Sequence, residues 1–350
     1  MKLALIYGGA SPEHSVSCVT ALGIYSAIDK SKYEVIPVGI TKSGKFVHHP
    51  ISQDWKLADY PMVSESAPEV LMPLGGGELR LQSGDSLGVI DIAFPVLHGV
   101  NGEDGTIQGL LQLCGIPYVG NGVLASALAM DKAVAKRIFE GAGIPTSKDL
   151  VIRKADYLAD ENQILTSASS LMNPNCFVKP SRSGSSVGVT KVKNLQSLKP
   201  AIERAFEHDD TVLVEQEMVG REIECSVLEH SDGEVVASKA GEIKVHGHDF
   251  YDYEAKYIDD SAELIVPVEL SPAELQTLQN LAIRAFRALG CSGLARADFF
   301  LTDSGFVITE INTMPGFTPI SMYPSLWTAS GIEYPQLVEI LIQTGLNTKR

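Results

Sequence analysis

The chain has 350 residues, 45% of them apolar, with ordinary glycine and proline content, enough to bury a core spread over two or three domains, which excludes a disordered or fibrous protein. A formal net charge of −15 repels nucleic-acid backbone and anionic membrane, so neither is an expected partner, and an anionic ligand would need locally clustered lysines or bound cations. The five cysteines are odd in number, scattered and without a C-x-x-C pair; with a start too short in apolar residues for a signal core, they point to a reduced cytoplasmic setting and no membrane insertion.

Residues 2–7 read as a buried strand, Gly8-Gly9 as a turn, and Ser15 to Ile28 as an apolar-periodic helix. Strands at Tyr33–Ile40 and Val89–Val96 and a helix at Thr106–Leu113 follow, an alternation that implies a parallel sheet. Between Pro50 and Gly88 the sequence loosens into a peripheral insertion of short strands, to which no chemistry is assigned. A helix from Val123 to Glu140 stops at Gly141-Ala142-Gly143. Beyond it come the strand Cys176–Lys179, a Gly/Ser loop, the strand Val187–Val192, a helix through Phe206 and the strand Thr211–Gln216. The alternating strand Glu222–Leu228 precedes a polar, aromatic stretch, His246 to Asp260, without helical or strand period, which reads as a mobile loop. Ser271-Pro272-Ala273-Glu274 is a capping box that starts a helix closed by Gly290.

The sharpest chemical signal lies between Gly293 and Asn312. Two strands flank Asp303-Ser304-Gly305, read as a three-residue turn. With Thr302 opposite Phe306, Asp298 faces Glu310, Arg296 faces Asn312, and all four share a face. Facing carboxylates repel each other, so a cation is the economical partner, and two carboxylates with an amide oxygen suit Mg²⁺. The same pattern also fits a solvent-facing hairpin balanced by Arg296.

Lys179-Pro180-Ser181-Arg182-Ser183-Gly184-Ser185-Ser186 is a small-residue loop between strands, able to wrap phosphate oxygens or to serve as a plain turn. It lacks the Walker order, and a strand follows it. The Gly8-Gly9 loop with Glu13 lacks a full dinucleotide fingerprint. The Val212–Met218 strand ending in acids fits a solvated linker as well as a site, and His98 beyond an apolar strand fits a structural role as well as a ligand contact.

Taken in order, Gly8-Gly9-x-Ser11-x-Glu13-His14-x-Val16-Ser17, His98-Gly99-x-x-Gly102-Glu103-Asp104-Gly105, Met130-Asp131-Lys132, Lys179-Pro180-x-x-x-Gly184-Ser185-Ser186, Tyr251-Asp252-Tyr253-Glu254-Ala255-Lys256-Tyr257 and Glu310-Ile311-Asn312-Thr313-x-Pro315-Gly316 closely resemble the D-alanine–D-alanine ligase family over essentially the whole chain. The resemblance implies an ATP-grasp fold of mixed α/β and α+β class. An N-terminal parallel α/β domain (1–122) would be followed by central (123–217) and C-terminal (218–350) α+β domains that clamp ATP.

It further implies two Mg²⁺, for which Mn²⁺ can substitute, on Asp298, Glu310 and Asn312. Lys132, Lys179 and Lys256 would hold phosphates under Ser186, while Glu215, Met218, Glu222 and Phe300 would hold the nucleoside. Glu13, Ser185 and Tyr257 would form a hydrogen-bonded set closing over the first D-alanine, with His98 nearby. Arg296 and the Gly316 N–H would face the tetrahedral oxyanion, and Ser321 with Met322 would hold the second substrate. A homodimer through the N-terminal domain is expected on the same ground. Ser183 departs from the bulkier or charged residue common there. Rival readings are a D-lactate- or D-serine-using ligase, another carboxylate–amine ligase of the fold, or a silent nucleotide-binding regulator.

Overall fold

The computed structural model describes residues 1–184, 186–245 and 262–349. Ser185, Lys256, Tyr257 and the stretch from His246 to Asp260 therefore lie outside the described residues.

Strands β1 (Lys2–Gly8), β2 (Glu34–Ile40), β3 (Phe46–His48) and β7 (Ile92–Pro95) form one sheet in the order β3-β2-β1-β7, with β1 parallel to β2 and β7. Helix α1 (His14–Ala27) makes the first crossover and buries Cys18, Ala21 and Ile24 against Leu3, Leu5 and Tyr7. Helices α2 (Thr106–Leu113), α3 (Val123–Met130) and α4 (Lys132–Gly141) follow. The insertion supplies a separate antiparallel sheet of β4 (Val70–Leu71), β5 (Glu78–Leu81) and β6 (Ser86–Val89).

A third sheet, order β10-β9-β11-β8, is antiparallel and built from β8 (Asp149–Arg153), β9 (Cys176–Pro180), β10 (Thr190–Val192) and β11 (Thr211–Gln216). Helices α5 (Lys154–Ala159), α6 (Glu161–Ser169) and α7 (Leu198–Ala205) close its core over Val178, Val192 and Val214.

The fourth sheet runs β14-β13-β12-β15-β16, from β12 (Arg221–Glu229), β13 (Val235–Val245), β14 (Ala262–Ile265), β15 (Leu294–Thr302) and β16 (Gly305–Asn312). The two-residue period of β12 and β15 sorts their side chains. Ile223, Cys225, Ala297 and Phe299 pack on helix α8 (Pro272–Ala288), burying Leu278, Ala282 and Phe286, each large side chain stabilising by about 2 kcal/mol. Glu222, Glu224, Arg296 and Asp298 are left on the opposite face. Helix α8 begins with the expected capping box, Ser271 Oγ accepting from Glu274 N–H and Glu274 accepting from Ser271 N–H at 2.8 Å. Helices α9 (Met322–Ala329) and α10 (Tyr334–Asn347) end the chain, and α10 returns to the first core through Leu337, Val338 and Leu341.

Four expectations change. The Val89–Val96 strand is split, because Asp91 bonds Lys2 through both its N–H and its carboxylate and turns the chain from one sheet into the other. The Val123–Glu140 helix breaks at Asp131, which accepts from the Ala133 and Val134 N–H groups and caps α4. Only Thr190–Val192 of the Val187–Val192 strand forms, since Ser186 and Gly188 take positive φ and curl the preceding residues into turns. The hairpin turn holds two residues, with Thr302 opposite Gly305 rather than Phe306.

Candidate active site

One cavity of about 510 Å³ opens among the first, third and fourth sheets. Its acidic floor comes from the hairpin. A bulge between Asp298 and Phe299 restores the register that the shorter turn would have lost, so Asp298 pairs with Glu310 and Arg296 with Asn312. Arg296 donates to both Asp298 oxygens, Nε to Oδ1 and Nη2 to Oδ2, each at 2.8 Å, and Asn312 Nδ2 donates to Oδ2 at 2.9 Å. Lys132 Nζ stands 3.4 Å from Glu310 Oε2 and donates to the Ser183 carbonyl at 2.8 Å. Burial works against the Arg296 charge, but Asp298, Glu224 and Glu310 outweigh it and hold the guanidinium protonated well above its ordinary range.

Lys132 occupies this place because α4 starts there: Asp131 caps the helix and also accepts from Ser181 Oγ at 2.6 Å, tying the helix to the small-residue loop. Arg182 anchors that loop on Asp209 with two side-chain bonds, 3.1 and 2.6 Å, and Ser183 closes it by donating to the Val187 carbonyl at 2.8 Å. Ser183, Gly184 and Ser186 then line the cavity beside Lys179.

Lys179 ion-pairs with Glu215, whose other oxygen accepts from Lys136 at 2.6 Å; Lys136 also donates to the Ser147 hydroxyl at 2.7 Å. Burial opposes ionisation of Glu215, yet Lys179 and Lys136 together hold its pKa down at about 2. Met218, Glu222 and Phe300 line the same end, Glu222 paired with Phe300 across the ladder.

The opposite wall carries Glu13, His98 and Glu103. Gly99 has φ of +73°, which favours glycine, and a Cβ there would come 2.9 Å from Glu13 Oε2, so a larger residue would be strained and would displace the tip of that side chain. His98 Nδ1 is 4.0 Å from Glu103 Oε1, which accepts from the Gly99 N–H at 2.8 Å. Burial, then the neighbouring Glu13 charge, raises the Glu103 pKa to about 8, while burial lowers that of His98 against the pull of Glu13. These shifts favour a carboxylic acid beside a neutral imidazole. Gly316, Ser321 and Met322 complete the cavity, Ser321 Oγ lying 2.7 Å from Thr318 Oγ1 and accepting from the Thr318 N–H at 3.1 Å.

All sixteen candidate residues that are described thus line one cavity. Among the described residues no group of three or more His, Cys, Asp and Glu side chains is arranged to hold a metal ion, so the donor set on offer is two carboxylates with one amide.

A family model described as the D-Ala D-Ala ligase N-terminus matches residues 2–121, and one described as its C-terminus matches residues 138–343. The chain belongs to the D-alanine–D-alanine ligase family. A D-alanine–D-alanine ligase of Mycolicibacterium vanbaalenii is 47% identical over 361 residues, covering 99% of this chain and 97% of that protein. Its counterpart in Mycobacterium ulcerans is 45% identical over 362 residues, covering 99% and 96%. Among solved structures, a D-Ala:D-Ser ligase from Enterococcus faecalis has a TM-score of 0.86 at 36% identity, covering 98% of this chain and 99% of that one. The architecture is accordingly that of the ATP-grasp ligases.

Within this family framework, four residues that line or brace the cavity escaped the sequence reading. Glu103 stood in a quoted motif without a role. Lys136 and Glu224 carry no local pattern, because Lys136 meets Glu215 79 positions away and Glu224 meets Arg296 across a ladder. Leu57 brings the insertion to the cavity rim, and the Val63 N–H donates to His14 Nε2 at 3.0 Å, so the insertion also braces the loop carrying Glu13.

Proposed function

We propose that the chain joins two molecules of D-alanine at the expense of ATP, for peptidoglycan precursor synthesis in the cytoplasm. The observation that carries the reading is the hairpin pair Asp298 and Glu310, flanked by Arg296 and Lys132, facing Glu13 and His98 across one cavity. Units 1–122, 123–217 and 218–350 are the proposed domains, and a homodimer through the first is the proposed assembly.

A carboxylate oxygen of the first D-alanine attacks the γ-phosphorus of ATP, the bond to ADP breaks, and D-alanyl phosphate results. The amine of the second D-alanine then attacks the acyl carbon, loses a proton, and phosphate leaves as the peptide bond forms. Lys132 and Lys179 hold phosphate oxygens, and Glu215, kept ionised, accepts from the adenine amino group. Glu13 binds the first ammonium, while Arg296 and the Gly316 N–H stabilise the oxyanion.

Asp298, Glu310 and the Asn312 amide suit two Mg²⁺ or Mn²⁺ ions, since the rung's three acids, Asp298, Glu310 and Glu224, formally exceed the two cations Arg296 and Lys132; such ions would neutralise charge developing on the transferred phosphoryl group. Closure of the walls excludes water from the acyl phosphate. Ser185, Lys256 and Tyr257, outside the described residues, are assigned to closure and phosphate binding on the family motif alone.

The likeness to a D-Ala:D-Ser ligase supports a second reading, D-serine as nucleophile. Product analysis with ATP, D-alanine and either D-serine or D-lactate decides. D-alanyl-D-alanine as the dominant product in both mixtures supports the first reading, and a mixed product dominating in either overturns it.

A further inference from the structure

Glu224 is the third acid on the rung of Asp298 and Glu310. Its Cα pairs with that of Asp298 across β12 and β15, and Asp298 pairs in turn with Glu310. It is 4% exposed, so its carboxylate is held by protein rather than by water. Its Oε2 lies 2.9 Å from Arg296 Nε, the same nitrogen that donates to Asp298 Oδ1 at 2.8 Å. One guanidinium is therefore shared between two carboxylates and covers both oxygens of Asp298.

An aspartate in that state presents a divalent cation with oxygens already engaged by a competing positive group. Coordination requires Arg296 to give up at least part of its fork. A buried guanidinium that lost its only carboxylate would be left uncompensated, which is strongly unfavourable. Glu224 Oε2 already lies 2.9 Å from Nε as an ion pair, the Nε proton itself going to Asp298, and it approaches from the side of the ladder away from Glu310. Resting on the ligase reading above, we propose that Glu224 is the positioning residue for Arg296: it retains the guanidinium when Asp298 turns to the metal, and so fixes the donor that meets the oxyanion.

The test uses the full chain and its variants E224Q, E224D, R296K and E224Q/R296K. Turnover is measured with ATP and D-alanine, and Mn²⁺ binding is measured separately by electron paramagnetic resonance in the presence of a non-hydrolysable ATP analogue. For E224Q a positioning role predicts kcat lower by about 10–100-fold, with ATP KM and Mn²⁺ affinity within about twofold of wild type. E224D, which keeps the charge, recovers most of kcat. In the R296K background, whose ammonium has no Nε to hold, E224Q changes kcat by less than about twofold.

Loss of a bound Mn²⁺ or a tenfold weaker affinity in E224Q makes Glu224 a metal ligand and overturns the proposal. Effects of E224Q and R296K that multiply, or a loss of kcat matched only by a loss of folded protein in both Glu224 variants, overturn it as well. A wild-type chain that releases no phosphate with D-alanine instead refutes the ligase reading, and the proposal with it.

Discussion

Asp298 and Glu310 face each other across the hairpin through a bulge that leaves Thr309 as the extra residue of β16, its hydroxyl donating to the Asp298 carbonyl at 2.9 Å. Each carboxylate also has a cation beside it, Arg296, shared with Glu224, for Asp298 and Lys132 for Glu310. Replacing Glu310 by glutamine should lower turnover by at least about a hundredfold and weaken Mn²⁺ binding, because it removes one of the two charges proposed to hold the metal. Simple repulsion between facing acids would also predict a clear gain in Tm without ligand, but Lys132 already offsets much of it. The shift should therefore stay within about 2 °C. Full activity at unchanged magnesium dependence contradicts the metal assignment.

The register of this pair was legible in the sequence for a reason only partly right. The turn is one residue shorter than the Asp303-Ser304-Gly305 reading, and the bulge adds one residue back, so the two departures cancel at Asp298. Alternation and caps, which are local, carried the sheet strands and the start of α8. The break at Asp131 was hidden because residues 123–140 keep an apolar helical pattern through it, and only the cap geometry shows two helices. Glu103, Lys136 and Glu224 were invisible as site residues for a different reason: their roles come from partners or neighbours brought near by tertiary packing.

Glu103 gives a pH signature. A carboxyl near 4.5 in the unfolded chain and about 8 when folded keeps its proton in the native state while the unfolded state sheds it. Stability contributed by this group therefore falls as pH rises from about 4.5 to about 8 and levels off above. Glu103→Gln removes that penalty and keeps an acceptor for the Gly99 N–H. Its advantage over wild type should open across that window and reach roughly 1–2 kcal/mol above it, discounted because the carboxyl is 18% exposed. Thermal melts of both proteins from pH 5 to 9 check this; parallel curves refute it.

On the proposed reading, Lys136 supports the end of the cavity assigned to the nucleotide base. Lys136→Met leaves Glu215 with Lys179 and Ser147, frees a buried carboxylate from one of its two lysines, and should destabilise by about 3 kcal/mol. ATP KM should rise about tenfold while D-alanine KM stays within about twofold, since only the base-recognising end is disturbed. Equal effects on both KM values would show a diffuse structural role instead.

Asp131→Ala removes the α4 cap and the bond from Ser181 Oγ. A stability loss of about 1–2 kcal/mol is expected, with Asp131→Asn recovering most of it. Because Lys132 is placed by this cap, ATP KM should rise severalfold in the alanine variant and return toward wild type in the asparagine one, as read by denaturant melts and steady-state kinetics.

The central claim, that this cavity activates a carboxylate by phosphoryl transfer before joining it to an amine, is tested most directly by oxygen tracing. D-Alanine labelled with ¹⁸O in its carboxylate is incubated with ATP, Mg²⁺ and the enzyme, and the released phosphate is examined by mass spectrometry. One carboxylate oxygen should appear in each phosphate as dipeptide accumulates, because the bond made to phosphorus is kept when the acyl carbon is attacked. Dipeptide formed with unlabelled phosphate would contradict an acyl phosphate, and with it the assignment of Arg296, Lys132 and the Asp298–Glu310 pair to its formation.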